Sequence, residues 1–201
     1  MVAADGGAVR ALALGCRPDL VVGDGDSLGE AGLDSFRSAG VPVERAPVAK
    51  DESDTELAVA AAVRRGATRL TILGALGGAR LDHALANIWL LAHPALAGRE
   101  AVVLDDRSRV RLLEGPAAVT LAGRPGDLVT LLPFGADALG VTTAGLAYPL
   151  ADEPLRVGPA RGLSNSRTGS EARVSLRSGR LLVIETHTDE GGTAWASRPA
   201  R

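Results

Sequence analysis

The apolar patterning of this sequence changes its period once, near residue 106, and that change narrows the possible folds more than any other feature. From residue 8 to about 106, helix-like and strand-like segments alternate at the spacing of βαβ units, which predicts a mainly parallel sheet with helices on its faces. The clearest helix opens at Ser53, where Ser53-Asp54-Thr55-Glu56 fits a capping box, runs through the alanine-rich stretch Leu57 to Arg65 and stops at Gly66. Arg69 to Leu76 reads as a buried strand, Leu81 to about Ala92 as a helix ahead of Pro94, and Ala101 to Asp105 as a strand rich in Val and Leu. Beyond Asp106 the apolar runs are short: Val110 to Leu113, Ala118 to Leu121, Leu128 to Leu132, Ala172 to Leu176 and Leu181 to Glu185. Gly, Pro, Ser and Asp separate them, which is the pattern of consecutive antiparallel strands. The expectation is an α/β N-terminal domain with a mainly parallel sheet, residues 1–115, followed by an all-β, sandwich-like C-terminal domain, residues 116–201. The junction falls near Gly115-Pro116, and the last dozen residues read as a weakly ordered tail.

Composition removes several classes of function. Twenty-two Lys and Arg against 24 Asp and Glu leave a formal charge of −2, and the aromatics are two Phe, two Trp and one Tyr. Neither a basic surface nor a base-stacking platform for nucleic acid is expected. The longest strictly apolar run, Leu57 to Val63, is far short of the roughly 18 residues of a membrane span. One cysteine, Cys16, cannot form an intrachain disulfide, and no basic segment followed by an apolar one marks a secretory leader. A cytoplasmic protein without membrane contact is the expectation.

The densest chemical signal is acidic. Eleven of the 24 acids fall in residues 1–60, in the clusters Asp5-Gly6-Gly7, Gly23-Asp24-Gly25-Asp26-Ser27 and Lys50-Asp51-Glu52-Ser53-Asp54. Leu20-Val21-Val22 reads as a buried parallel strand, so the acids after it sit at a strand's carboxyl end, where open α/β sheets bind ligands. Residues two apart in an extended segment point the same way, so Asp24 and Asp26 can face one site. Gathered carboxylates repel one another, and a bound cation resolves that repulsion. Oxygen ligands without His or Cys favour Mg²⁺. Isolated Asp-x-Asp pairs also occur as turn and capping residues, and Ser53 is fully explained as a helix cap.

A second segment, Gly74-Ala75-Leu76-Gly77-Gly78-Ala79-Arg80-Leu81-Asp82-His83, runs from a strand into a helix. Its glycines free backbone N–H groups to approach a phosphate, and Arg80 adds a fork of donors. No Gly-Lys-Ser/Thr follows, so it is not a Walker loop. Asn87 lies one helical turn after His83 on the same face, and a histidine hydrogen-bonded within helix packing is the plainer alternative for His83.

Together these segments resemble the thiamine pyrophosphokinase family. The likeness rests on Ala4-Asp5-Gly6-Gly7-Ala8, Pro18 to Ser27, Lys50-Asp51-Glu52-Ser53-Asp54-Thr55-Glu56, and Gly77 to His83 with Asn87. In the β half, Gly145-Leu146-Ala147-Tyr148-Pro149-Leu150 and Gly162-Leu163-Ser164-Asn165 look like the family's acceptor-side signatures. The resemblance implies transfer of a pyrophosphoryl group from ATP to the hydroxyl of thiamine, giving thiamine diphosphate and AMP. It implies that Asp5, Asp24, Asp26 and Asp54 hold or orient Mg²⁺, with Asp24, Asp26 and Asp54 closest to catalysis. Gly77, Gly78, Arg80, Asp82, His83 and Asn87 would serve the nucleotide. It further implies a homodimer whose thiamine site lies between subunits, with Ser164, Asn165 and Tyr148 serving the partner's active site. Gly25 stands where the family commonly has an aromatic, and Ala79 stands as an extra residue before Arg80. A catalytically inactive thiamine-binding homologue and a Mg²⁺-dependent phosphohydrolase are the competing readings.

Overall fold

The computed structural model describes residues 1–78 and 80–188. Ala79, read as an extra residue, and the tail expected over the last dozen residues fall outside these residues.

Leu20-Val21-Val22-Gly23 forms β2 (Leu20–Gly23), with all four residues buried. It is the middle strand of a parallel three-stranded sheet between β1 (Val2–Ala4) and β3 (Val43–Arg45), with Ala3 opposite Val21 and Val22 opposite Glu44. Successive side chains of a strand point to opposite faces, and each face of β2 has its own cover. Val21 packs with Ala3, Ala8, Phe36 and Val41 on the side of α1 (Gly7–Ala13) and α2 (Gly29–Ser38). Leu20 and Val22 pack with Ala61 of α3 (Asp54–Arg64) on the other. A strand covered on both faces is apolar throughout, which is why this run stood out. α3 begins as its sequence requires: the Ser53 hydroxyl accepts the Glu56 N–H at 3.2 Å. The Glu56 carboxylate lies 3.4 Å from His93 Nε2. The helix ends before Gly66, whose φ of +87° suits glycine.

The next two strands depart from the expected continuation of the parallel sheet. β4 (Arg69–Leu73) and β5 (Glu100–Leu104), joined through α4 (Leu81–Trp89) and two short 3₁₀ turns, belong to a different sheet. β5 turns directly into β6 (Ser108–Glu114) and pairs with it antiparallel, Val103 opposite Val110. The Asp105 carboxylate fixes that turn by accepting the N–H groups of Arg107 and Ser108. β4 is the edge strand of this sheet, with Leu70 buried and Leu73 exposed, so the reading of 69–76 as a buried strand is corrected. Alternating βα spacing is the same whichever sheet receives the strand, and only pairing partners distinguish the two outcomes.

The remaining strands are β7 (Ala117–Ala122), β8 (Leu128–Pro133), β9 (Ala138–Ala144), β10 (Glu153–Leu155), β11 (Asn165–Ser166), β12 (Glu171–Leu176) and β13 (Arg180–Thr186). One sheet has the order β10-β9-β12-β7, the other β11-β8-β13-β6-β5-β4. Leu121, Val141, Leu155 and Val174 of the first share one apolar core with Val129, Leu131, Leu181 and Val183 of the second. By its internal contacts the chain divides into two units, Met1–Leu70 with Leu85–Glu100, and Thr71–Ala84 with the described residues from Ala101 onward.

Candidate active site

The first acidic segment is positioned by the end of β1. Immediately after that strand the backbone at Asp5 turns to φ +37°, an unfavourable region for a residue with a side chain. The turn is held by Asp5 N–H donating to Val22 O and Ala8 N–H donating to Asp5 O, both at 2.9 Å. It lies against β2, where a Cβ on Gly23 would come within 2.9 Å of the Asp5 Cβ, so only glycine permits the approach. Asp5 is 4% exposed. One carboxylate oxygen, Oδ2, accepts the Ser27 N–H at 3.0 Å, while the buried Oδ1 has no hydrogen-bond partner among the described residues.

β2 then delivers Asp24 and Asp26 at its carboxyl end. Asp24 Oδ1 accepts the Asp26 N–H at 3.1 Å, which curls the segment back on itself. Gly25 between them has φ +83°, and an added Cβ would meet Leu33 Cδ1 at 2.7 Å. Leu33 of α2, itself buried, thus fills the space beside the two acids. The N-terminal turn of α3 supplies Asp54. Asp5, Asp24, Asp26 and Asp54 converge: one carboxylate oxygen from each lies within 4.8 Å of the other three.

Lys50 was quoted within its motif but given no role by sequence reasoning. Its ammonium donates to Asp24 Oδ2 at 2.8 Å and to Asp54 Oδ1 at 2.7 Å, with the side chain 10% exposed. A lone cation inside an acidic run was the signal that could have found it. Burial, the largest single influence on Lys50, opposes its charge, but hydrogen bonds to Asp24 and Asp54 outweigh it and raise its pKa. The same contact lowers the pKa of Asp24. Asp5 moves the other way: burial raises its pKa, with Asp26 and Asp54 adding to the rise against the lowering effect of Ser27. The donor set is all oxygen, and Asp5 brings to the cluster a carboxylate with one buried oxygen that has no hydrogen-bond partner among the described residues, so these residues fit a hard divalent cation.

The Gly-rich segment belongs, up to His83, to the second unit. Gly77, Gly78, Arg80, Asp82 and His83 are exposed, and Asn87 is half-buried on α4. Arg80 and Asp82 form a forked pair, Nε to Oδ1 at 3.2 Å and Nη2 to Oδ2 at 2.5 Å. Arg80 lowers the pKa of Asp82 to about 2.

The two segments of the β half that resemble acceptor-side signatures, 145–150 and 162–165, lie side by side. Leu146 bridges Arg167, Ala147 N–H donates to Ser166 O at 2.9 Å, and Thr168 N–H donates to Gly145 O at 3.0 Å. The Asn165 carboxamide then continues the pairing with a side chain in place of backbone. Its Oδ1 accepts the Tyr148 N–H at 3.0 Å and its Nδ2 donates to Tyr148 O at 2.7 Å. Glycine is required twice: a Cβ on Gly145 would stand 2.3 Å from Glu171 O, and one on Gly162 would stand 2.1 Å from Leu131 O. Ser164, at φ +56°, donates its N–H to Thr130 Oγ1 at 2.9 Å. Tyr148, Pro149, Leu150, Arg161, Gly162 and Asn165 line a small open pocket with Leu131. Tyr148 is itself exposed, and Arg161 is paired with Glu153.

Residues 1–103 match the family described as thiamin pyrophosphokinase, catalytic domain, and residues 118–181 match thiamin pyrophosphokinase, vitamin B1 binding domain. A thiamine pyrophosphokinase of Bacillus subtilis (strain 168) is 25% identical over 92% of this chain and 86% of its own length. The crystal structure of thiamine pyrophosphokinase from Bacillus subtilis superposes with a TM-score of 0.84 at 26% identity, covering 94% of this chain and 87% of that one. The thiamin pyrophosphokinase crystal structure from Geobacillus thermodenitrificans gives 0.80 at 27% identity, over 94% and 86%. With one match falling on the acidic segments and the other on the paired acceptor-side motifs, the chain belongs to the thiamin pyrophosphokinase family.

Proposed function

We propose that this protein transfers the pyrophosphoryl group of ATP to the primary hydroxyl of thiamine, releasing AMP and forming thiamine diphosphate. The observation that carries the reading is the convergence of Asp5, Asp24, Asp26 and Asp54 at the end of a parallel strand, in a chain whose β half pairs its two acceptor-side motifs. The thiamine oxygen attacks the β-phosphorus, the bond from that phosphorus to the oxygen bridging it to the α-phosphate breaks, and AMP leaves. Such a transfer needs positioning and charge neutralisation more than covalent catalysis.

Asp5, Asp24, Asp26 and Asp54 would hold Mg²⁺, which, when bound, neutralises charge on the phosphate oxygens. One of the Asp carboxylates of the cluster accepts the proton of the thiamine hydroxyl. Arg80 offers a forked pair of donors to a phosphate, and Asp82 holds that guanidinium in one orientation until it does so. Gly77 and Gly78 open the backbone for close approach, and His83 and Asn87 serve the nucleotide from α4. On the acceptor side, Tyr148 and Ser164 meet thiamine, and Asn165 fixes the backbone that carries Tyr148.

The functional division lies near residue 115: a nucleotide- and metal-binding part, 1–115, and a sandwich-like acceptor-binding and dimerisation part, 116–201. The family matches to 1–103 and 118–181 support it. The protein works as a cytoplasmic homodimer without nucleic acid or membrane partners. An exposed free thiol at Cys16 supports a reducing compartment, and no helix among the described residues is long and apolar enough to cross a membrane.

Purified protein given ATP, Mg²⁺ and thiamine should produce AMP and thiamine diphosphate in equal amounts. Thiamine binding without AMP would support the inactive homologue, and phosphate release without need of thiamine would support the phosphohydrolase.

A further inference from the structure

Among the described residues, Lys50 is the one cation ion-paired with the four converging acids. Its ammonium lies within hydrogen-bond distance of two of them, from different elements: Asp24 from the end of β2 and Asp54 from the first turn of α3. The lysine and Asp24 side chains are about equally buried, at 10% and 11% exposed, so this is no loose surface pair. Of the two carboxylates it leaves alone, Asp26 is exposed and Asp5 is the deepest of the four. Asp5 Oδ1 is buried and has no hydrogen-bond partner among the described residues, although it belongs to the same cluster. The cluster is thus half neutralised, by a cation attached to the chain, on the side of Asp24 and Asp54.

We infer that Lys50 is a resident counter-ion that a divalent cation must displace from Asp24 and Asp54, so that the site takes up metal poorly on its own and readily together with a polyphosphate. The reasoning is one of exchange. A metal arriving alone must strip two charge-assisted hydrogen bonds from Lys50 and leave a partly buried ammonium without an anionic partner, which is costly. A polyphosphate arriving with the metal gives the released ammonium, three donors on a flexible stem, new oxygens to bind. The arrangement also keeps Asp24 and Asp54 together before metal arrives, where two bare carboxylates would push β2 and α3 apart. Lys50 is by this account a positioning residue and not a catalytic one. The inference rests on the metal-binding part of the proposed function, but its test involves neither thiamine nor turnover.

The test is the affinity of the protein for Mn²⁺ alone, read as free Mn²⁺ by electron paramagnetic resonance, in wild type, Lys50→Met and Lys50→Gln. Removing the competing ammonium should tighten Mn²⁺ binding by about tenfold or more, an ordering that a merely structural lysine would not produce. The rise in thermal midpoint on adding Mn²⁺ should also be larger in both variants than in wild type. That second reading holds even where a variant is poorly folded without metal, since Mn²⁺ should then restore its cooperative unfolding. Variants that bind Mn²⁺ no tighter than wild type, and gain no more thermal stability from it, would overturn the inference. So would the absence of Mn²⁺ uptake by all three proteins at millimolar concentration. Failure of the pyrophosphoryl-transfer reading would show instead in the product assay, which does not depend on this ordering.

Discussion

Asp5 carries two burdens at once: a left-handed backbone at φ +37° and a buried carboxylate that burial and its acidic neighbours drive toward protonation. An acid whose folded pKa lies above its unfolded value lends stability below the ordinary carboxylate range and loses it as pH rises through the raised value. At neutral pH, the ionised Asp5 therefore weighs against the metal-free fold. Asp5→Asn keeps an oxygen for the Ser27 N–H and removes the charge. It should raise the thermal midpoint at pH 7 without divalent cations, with the gain shrinking as pH falls through the raised value and absent below the ordinary carboxylate range. A variant less stable than wild type at pH 7 would contradict this account. Asp24 has the opposite sign, because Lys50 lowers its pKa. Its contribution is present above the ordinary carboxylate range and lost as pH falls through the lowered value. Asp24→Asn and Asp26→Asn remove charge with little change in volume, and each should cost about 10²- to 10³-fold in kcat with the circular dichroism spectrum unchanged. Activity within threefold of wild type at limiting Mg²⁺ would take both residues out of the metal site.

Among the elements, α3 does the most for the site, since its first turn holds Asp54 and its N-cap sets where that turn begins. Ser53→Ala removes the acceptor of the Glu56 N–H and should cost about 1 kcal/mol. In a protein of this size that lowers the thermal midpoint by roughly 2–4 °C, while Ser53→Asp, which restores an acceptor, should stay near wild type. Equal midpoints for Ser53→Ala and wild type would mean that packing alone fixes the helix start. This helix was legible because capping is local: cap, first turn and Gly66 stop are all read within one stretch of chain. β2 was legible because burial on both faces leaves a continuous apolar run. β9 was not, for a physical reason. Its inward and outward residues alternate up to Gly140, where φ is +67°, and then resume out of phase, with Gly140 and Val141 both buried. A strand that slips its own period gives no period to find. The sheet membership of β4 and β5 was hidden differently, because pairing partners are distant in sequence. Lys50 escaped for the same reason: Asp54 is four residues away but Asp24 is 26.

For the whole molecule, the paired acceptor-side motifs raise the question of which chain's acids they serve. The motifs hold Tyr148 and Ser164 in place through Asn165 and Thr130, contacts made entirely within the β-rich unit. The four acids are all in the other unit. In the proposed homodimer an isologous interface repeats each composite site twice. If the metal cluster of one subunit works with the acceptor motifs of its partner, lesions in the two halves can be segregated. Asp24→Asn and Asn165→Ala, each inactive as a pure protein, should regain activity when mixed and allowed to exchange subunits. A heterodimer then has one site with both lesions and one with neither. At full random exchange half of the dimers are mixed, and each has one intact site of two, so recovery should approach a quarter of wild-type activity at equal total protein. Native mass spectrometry measures the mixed species directly, so recovery can be scaled to it. If mixed dimers form and activity stays at the level of the separate variants, Asp24 and Asn165 serve the same chain's site, and the acceptor motifs work within one subunit.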